Sequence, residues 1–419
     1  MKNVSQPTTL TQPLKRITVL DALRGFALLG VILMHMLQNF GIFEVSVEQV
    51  QSRFPEMDKA IQWIGSNLIM GRFINIFAFL FGLSFFIQMD RAAKKGIDFR
   101  KRFIWRMFIL LLIGVVGHSF YSIEIISIYA VFGLLLIPLY SLRNWSLLLL
   151  AALLLIGTPR AIQSSIHNSN LKAQTAENPT ESGSPEAREI PAHIQNPSFI
   201  NSVKHNYAER FEGKLNYQFG MYGRGYVTFA LFILGLVVGR VRFFETLGER
   251  KRRNLFLFVG SAVAAFFLNW IESLLPAVEV RSLMRPGDEY IPAMMLVVKT
   301  LGDLNLVFFS AALGMGFIIL YNTSSFSKYL DVLSPYGRMA LTNYEMQGVI
   351  GAILFSAWAF GSVFSSWGAT ELFVFGIIIF VLQILLSRIW LKYFLYGPLE
   401  WLWRSGTYLK WQALKKRKS

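Results

Sequence analysis

The chain contains no cysteine. Disulfides, thiolate nucleophiles, enzyme-bound thioesters and Cys-ligated zinc are therefore excluded. Charge is scarce as well. Of 419 residues 16% are Asp, Glu, Lys or Arg, against 54% hydrophobic, too few charges for a soluble protein of this size. Acidic residues are the rarer sign, 25 against 41 Lys and Arg, leaving a net charge of +16. In a soluble chain that excess would suggest nucleic acid. Here the cations sit in short runs between long apolar segments, the pattern of a polytopic membrane protein beside anionic lipid, so the expected partner is the bilayer and no nucleic acid. There is no G-x-x-x-x-G-K-[ST], hence no Walker-type nucleotide site. His35, His118, His167, His193 and His205 form no i,i+4 pair, so no metal site is expected.

What is present predicts an all-α transmembrane bundle of about ten spans, at roughly 18–40, 66–89, 103–118, 121–140, 146–158, 223–243, 255–272, 292–322, 338–357 and 371–395. The fifth is short. The eighth carries Lys299, Asp303 and Asn305 and is expected to be tilted or broken. The first contains Arg24 and lacks a small-residue cleavage site, so it reads as a retained span. Basic runs follow spans two (Arg91 to Arg102) and six (Arg240 to Arg253) and close the chain at Lys415 to Lys418, whereas 119–122 and 358–370 have no Lys or Arg. That alternation places both termini in the cytoplasm and the protein in the inner membrane.

The resulting organisation is a cytoplasmic tail (1–17), an N-terminal half-bundle (18–158), a long polar extracytoplasmic loop (159–222), a C-terminal half-bundle (223–395) and a basic cytoplasmic tail (396–419). In the loop, 167–198 has the Pro-, Asn- and Ser-rich composition of a disordered segment. Phe199, Val203, Tyr207, Phe211 and Leu215 recur every four residues, which predicts an amphipathic helix on the outer surface.

Arg24 and His35 carry the best lead to function. The ten residues between them are uncharged. Eleven steps of about 100° return both to one helical stripe, separated by roughly 16 Å, about half a hydrocarbon core. Intramembrane charge needs a partner, a wet cavity or a ligand. Asp21 lies three residues before Arg24 and can pair with it. Further polar groups at membrane depth are Arg72, His118, Glu124, Lys299, Asp303, Arg338, Thr342, Asn343, Tyr344, Glu345 and Gln347. Each alone is accounted for by interhelical hydrogen bonding. Together they predict a polar cavity, because so many groups cannot all face lipid.

Leu20-Asp21-Ala22-Leu23-Arg24-Gly25-Phe26-Ala27-Leu28-Leu29-Gly30 resembles the opening of the YeiB-like bacterial membrane proteins, the family of the domain of unknown function 418. Phe77-Ala78-Phe79-Leu80-Phe81-Gly82 resembles that family's second-span motif. Tyr336 through Gln347, and Gly397-Pro398-Leu399-Glu400-Trp401-Leu402-Trp403-Arg404, resemble its two late signatures. The family is distantly similar to a wider group of transmembrane acyltransferases whose first span carries Arg, ten residues, then His, which Arg24 and His35 match. The resemblance implies acyl transfer from a cytoplasmic donor, acyl-CoA as co-substrate and no permanently bound cofactor, to an envelope glycan, lipid or small molecule.

On that reading His35 is the catalytic base or a transient acyl carrier. Arg24, with Asp21 and Arg72, binds the donor. Glu124, Asp303, Arg338, Thr342, Asn343, Tyr344 and Gln347 are candidate cavity residues. The competing reading is a transporter of a small solute that uses the same groups as a pathway. No internal repeat supports it.

Overall fold

The computed structural model describes residues 18–42, 52–177, 192–364 and 366–416. Among these the regular structure is helical, with one isolated bridge between Phe394 and Lys415. The principal helices are α1 (Thr18–Leu37), α2 (Pro55–Ile64), α3 (Arg72–Ala93), α4 (Arg100–Phe120), α5 (Ile126–Leu139), α6 (Asn144–Leu155), α7 (Thr158–Glu177), α8 (Phe199–Phe219), α9 (Arg224–Arg240), α10 (Lys251–Ser273), α11 (Ala293–Tyr321), α12 (Leu333–Arg338), α13 (Ala340–Phe355), α14 (Ala369–Tyr393) and α15 (Pro398–Tyr408).

The molecule is an all-α polytopic bundle. Among the described residues six helical segments are long and apolar enough to cross a membrane: α1, Pro55–Ala93 (α2 with α3), α4, α10, α11 and α14. Two bent pairs, α6–α7 at 44° and α8–α9 at 56°, raise the number to eight. The predicted spans at 121–140 and 338–357 correspond to α5 and α13, of 14 and 16 residues. At 1.5 Å per residue these reach about 21 and 24 Å, short of a roughly 30 Å core.

α1 is the centre of the bundle, its apolar stretch 78% buried, while α10 lies at the edge with 11% buried. α1 packs on α3, α12 and α14. Its approach to α12 is close because two glycines face the contact. A Cβ on Gly337 would overlap the Asp21 carbonyl, and one on Gly25 would overlap the Leu333 carbonyl. This brings Arg338 beside Arg24.

Two expectations need correction. The eighth span is not broken: α11 runs unbroken for 29 residues. Asp303 pairs with Lys299, one turn away, and with Arg160 of α7, so the charges are satisfied without opening the backbone. A backbone break lies instead at Met339, between α12 and α13, where the ninth span begins. The polar segment at 167–198 is partly helical. α7 continues through residue 177, docked by Asn168, whose side chain exchanges two 2.9 Å hydrogen bonds with the Ile291 backbone. Residues 178–191 lie outside the described part, as does the 1–17 tail.

The expected amphipathic helix is α8. It includes a π-helical turn at Asn206–Arg210 and packs on the end of α4, with Phe199 against Phe120 and Tyr207 against His118.

Candidate functional site

The two polar groups of α1 open onto different surroundings. Near its start, Arg24 donates to Asp21 at 2.7 Å and to Ser84 Oγ of α3 at 2.7 Å. Asp21 is buried; the Arg24 side chain is a quarter exposed. That exposed part lines a cavity of about 250 Å³. Ser84 and Gln88 of α3 continue this wall, and Arg106 of α4, Arg338 of α12, and Glu400 and Trp403 of α15 face it. Three guanidinium groups thus border one space with one carboxylate. Arg106 lies 3.6 Å over the Trp403 ring and has a buried Nε with no hydrogen-bond partner.

Glu400 is committed elsewhere. It accepts from Leu341 N at 2.7 Å, Thr342 N at 3.1 Å and the Thr342 hydroxyl, capping the start of α13. An anion there complements the helix dipole. Burial holds its carboxyl above the ordinary range, opposed by the bonds from Thr342 and Leu341. The other end of the cavity is apolar and includes Phe77, Ile126 and Tyr129.

Toward the end of α1, His35 is 2% exposed and does not line that cavity. It lies among Phe40, Tyr121 and Tyr344, with ring centroids 5.1, 6.2 and 6.3 Å away. Its Nδ1 is buried without a hydrogen-bond partner. Phe40 is brought onto the imidazole by a sharp reversal in which Asn39, Phe40 and Gly41 have φ of 47°, 53° and 72°. For the two non-glycine residues that conformation costs about 1–2 kcal/mol each, strain of the kind that gathers at functional sites. Tyr344 Oη accepts from Ile125 N at 3.2 Å, and its ring stacks on Phe77 at 6.5 Å.

Beside this cage the buried Glu124 carboxylate accepts from Ser127 N at 3.1 Å, from the Ser127 hydroxyl and from the Lys214 ammonium of α8. Lys214 also lies 3.4 Å from His118 Nδ1. Glu345, 7% exposed, keeps one carboxylate oxygen without a partner.

The sequence candidates thus divide. Asp21, Arg24 and Arg338 gather at the cavity, with Thr342 at its rim. Glu124 and Tyr344 gather near His35. Asp303 stands apart, in an ion pair of 2.6 Å with Arg160 and bonded to Lys299. Arg72 bonds the carbonyls of Ser66 and Met70 at 2.9 Å; twelve residues from Ser84, it is about 18 Å from Arg24's partner along α3. Asn343 and Gln347 join α13 to Tyr336 and α14 through Ser387 and Gln383, with hydrogen bonds of 2.7 to 3.3 Å. Residues not singled out by sequence are Ser84, Arg106, Tyr121, Arg160, Lys214 and Glu400. Glu400 lies within a quoted motif, and Lys214 interrupts the apolar stripe of α8. Arg106 lies within the expected span 103–118, where an intramembrane charge is itself the signal.

Two family models match the chain in separate halves. Residues 16–183 match "Heparan-alpha-glucosaminide N-acetyltransferase, catalytic". Residues 238–410 match "Protein of unknown function (DUF418)". Among similar proteins, uncharacterized protein YxaH of Bacillus subtilis (strain 168) is 26% identical, with 98% of each chain covered. An uncharacterized 39.9 kDa protein encoded in the amylase 3′ region of Bacillus acidopullulyticus is 26% identical over 94% of each. Uncharacterized protein YeiB of Escherichia coli (strain K12) is 44% identical over 80 residues, 19% of this chain and 20% of that one. With the motifs at Leu20–Gly30, Tyr336–Gln347 and Gly397–Arg404, these matches make the chain similar to the YeiB-like membrane proteins, those of the domain of unknown function 418.

Proposed function

We propose that this protein is an integral-membrane acyltransferase that moves an acyl group from a cytoplasmic acyl-CoA-like donor to an envelope or small-molecule acceptor, in the inner membrane with ten passages and both termini cytoplasmic. One observation carries the reading. A single central helix presents Arg24 to a cavity bordered by Arg106 and Arg338, and His35 lies about 16 Å further along it. Guanidinium forks suit phosphate and pyrophosphate oxygens. Arg24, Arg106 and Arg338 therefore hold the donor's phosphates, with Asp21 fixing Arg24. A pantetheine-like arm extends past Phe77 toward His35. The match of residues 16–183 to an acetyltransferase catalytic domain supports the same chemistry.

His35 acts as general base toward the acceptor. An imidazole nitrogen held in an aromatic, water-poor cage is available to take a proton. Arg72 has no part in donor binding on this reading, since its guanidinium is bonded at the opposite end of α3.

The transporter alternative draws on the two bent helix pairs, a feature of alternating-access proteins. It loses the support of a broken eighth span. Purified protein incubated with acetyl-CoA decides between them. Acyl exchange or hydrolysis that is lost in His35→Ala is expected; no turnover, with solute flux in proteoliposomes, would overturn the acyltransferase reading.

A further inference from the structure

Among the described residues, three buried polar atoms close to one another in the fold lack a well-formed hydrogen bond: His35 Nδ1, Tyr121 Oη and Glu345 Oε1, the Tyr121 hydroxyl having only the Tyr344 hydroxyl near it. Their residues are 2%, 1% and 7% exposed. Buried polar groups are nearly always paired, so such atoms on a histidine and on two of its neighbours call for an explanation. Their seats are shaped for them. A Cβ on Gly117 would overlap the Glu345 carboxylate, and one on Gly348 would overlap the Tyr121 ring. The cluster is covered by α8, which joins it through Lys214 to Glu124 and Ser127 and through Asn206 to His118.

We propose that His35, Tyr121 and Glu345 form the acceptor half of the site, built for a polyhydroxylated molecule, and that Lys214 latches α8 over it. The proposal rests on the acyl-transfer reading. The chemistry of the three atoms selects the ligand. A buried carboxyl accepts and, when protonated, also donates; a phenol donates and accepts; and a deprotonated imidazole nitrogen accepts. Neighbouring hydroxyls answer all three: one gives its proton to His35, the next gives its own to Glu345, and a hydroxyl oxygen accepts from Tyr121. The rings of Phe40 and Tyr344 supply flat apolar walls for the C–H face of such a molecule. An ammonium offers donors alone, and has no lone pair for attack until it is deprotonated.

In the reaction the acceptor O–H proton passes to His35 Nδ1 while the oxygen bonds to the thioester carbonyl carbon. The C–S bond then breaks, and the departing thiolate takes the proton from the imidazolium. Ester and free thiol are the products.

Entry requires α8 to lift. Its π-helical turn at Asn206–Arg210 and the left-handed Gly223 (φ 68°) just beyond it are the places where it can bend. The Lys214–Glu124 pair is the charged tie across the gap.

Two experiments test this on the whole purified protein. The cysteine-free chain accepts a single reporter, Ser122→Cys, next to Tyr121 and buried. Methyl α-D-glucopyranoside, the probe polyol, is expected to slow maleimide labelling of this cysteine, and propylamine is not. Lys214→Met is expected to speed labelling about tenfold, the effect of losing one charge-assisted hydrogen bond. Labelling indifferent to the polyol with Lys214 present and absent would overturn the subsite, whether or not the protein turns over a donor. Protection by propylamine alone would overturn the polyol assignment.

The second experiment measures transfer to the same polyol beside hydrolysis of acetyl-CoA. Tyr121→Phe and Glu345→Gln are each expected to raise the KM for the polyol about tenfold, with a smaller effect on the kcat of transfer. A lowered kcat and thermal midpoint at unchanged KM would reduce the two residues to a structural role. Absence of donor hydrolysis in the unaltered protein would count against acyl transfer, while polyol protection of the reporter would still establish the binding site.

Discussion

The rings of Phe77 and Tyr344 stack at 21° with centroids 6.5 Å apart. Phe77 lines the cavity that holds Arg24, and Tyr344 lies 6.3 Å from His35. This pair therefore forms the partition between the arginine-lined space and the histidine cage. It lies on the direct line by which a molecule held at one would reach the other.

Enlarging Phe77 is expected to block that passage. Phe77→Trp should lower turnover of acetyl-CoA at least about tenfold and leave donor binding within about twofold, because no phosphate-binding group is touched. Turnover and binding are measured on the same preparation. Unchanged turnover would place the route elsewhere.

Asp303 is expected to matter for stability and not for chemistry. Its carboxylate compensates Arg160 and Lys299 in a buried cluster. Asp303→Asn leaves two buried cations facing a neutral amide, a change of the kind that costs on the order of 3–5 kcal/mol. The thermal midpoint in detergent should fall markedly, while the protein that remains folded binds donor normally. A stable variant that has lost turnover would instead put Asp303 in the reacting site.

Glu400 gives a pH signature. Burial raises its folded-state value above the ordinary 4.5, so the folded chain holds this proton more tightly than the unfolded chain. The stability contributed is complete below about 4.5 and is lost as the pH rises through the folded value. Thermal midpoints should therefore decline with rising pH across that window, and Glu400→Gln should flatten the decline. Glu400→Ala also removes the cap of α13, worth about 1 kcal/mol. A slope unchanged in Glu400→Gln would assign it to another group.

The membrane arrangement is checked with single cysteines at Lys95, Ile200 and Arg250. The alternation of basic runs predicts that 95 and 250 share the cytoplasmic side and that 200 is opposite. An impermeant maleimide applied to intact cells should label only position 200. Labelling of 95 or 250 from outside would reverse or refute the topology.

What the sequence made legible follows from range. α1 could be read because Arg24 and His35 share one helix, where periodicity alone fixes their relation. α8 could be read for the same reason, from apolar residues every four positions. Asp303 could be located but not interpreted, since its partner Arg160 lies 143 residues away. Arg106 lies inside the expected span 103–118, so its charge at membrane depth was a signal, but its place on the wall of the Arg24 cavity depends on α1, α12 and α15. The interruption at Met339 depends on Glu400, some sixty residues further on, so no local signal marked it. Polar residues of α13 looked equivalent along the sequence, yet Thr342 faces Glu400, Asn343 and Gln347 face α14, and Tyr344 faces His35. Those destinations are set by the neighbours of each face, which one chain read linearly does not reveal.

The sharpest prediction concerns Arg24 and His35 together. Arg24 touches the arginine-lined cavity and bonds Asp21 and Ser84; His35 touches only the aromatic cage and carries an unpartnered nitrogen. If donor phosphates sit at the first and the acceptor proton is taken at the second, the two substitutions must separate in kinetics. Arg24→Ala should weaken donor binding by roughly ten- to a hundredfold, the loss of a hydrogen bond to a charged group, with a smaller effect on kcat. His35→Ala should abolish turnover while donor still binds with near-normal affinity, because a proton acceptor is needed only in the reacting step. Donor affinity by calorimetry and single-turnover rates give both numbers. Normal donor binding in both variants, with only solute flux altered, would favour the transporter. No donor binding by the unaltered protein would remove the basis of this division of labour.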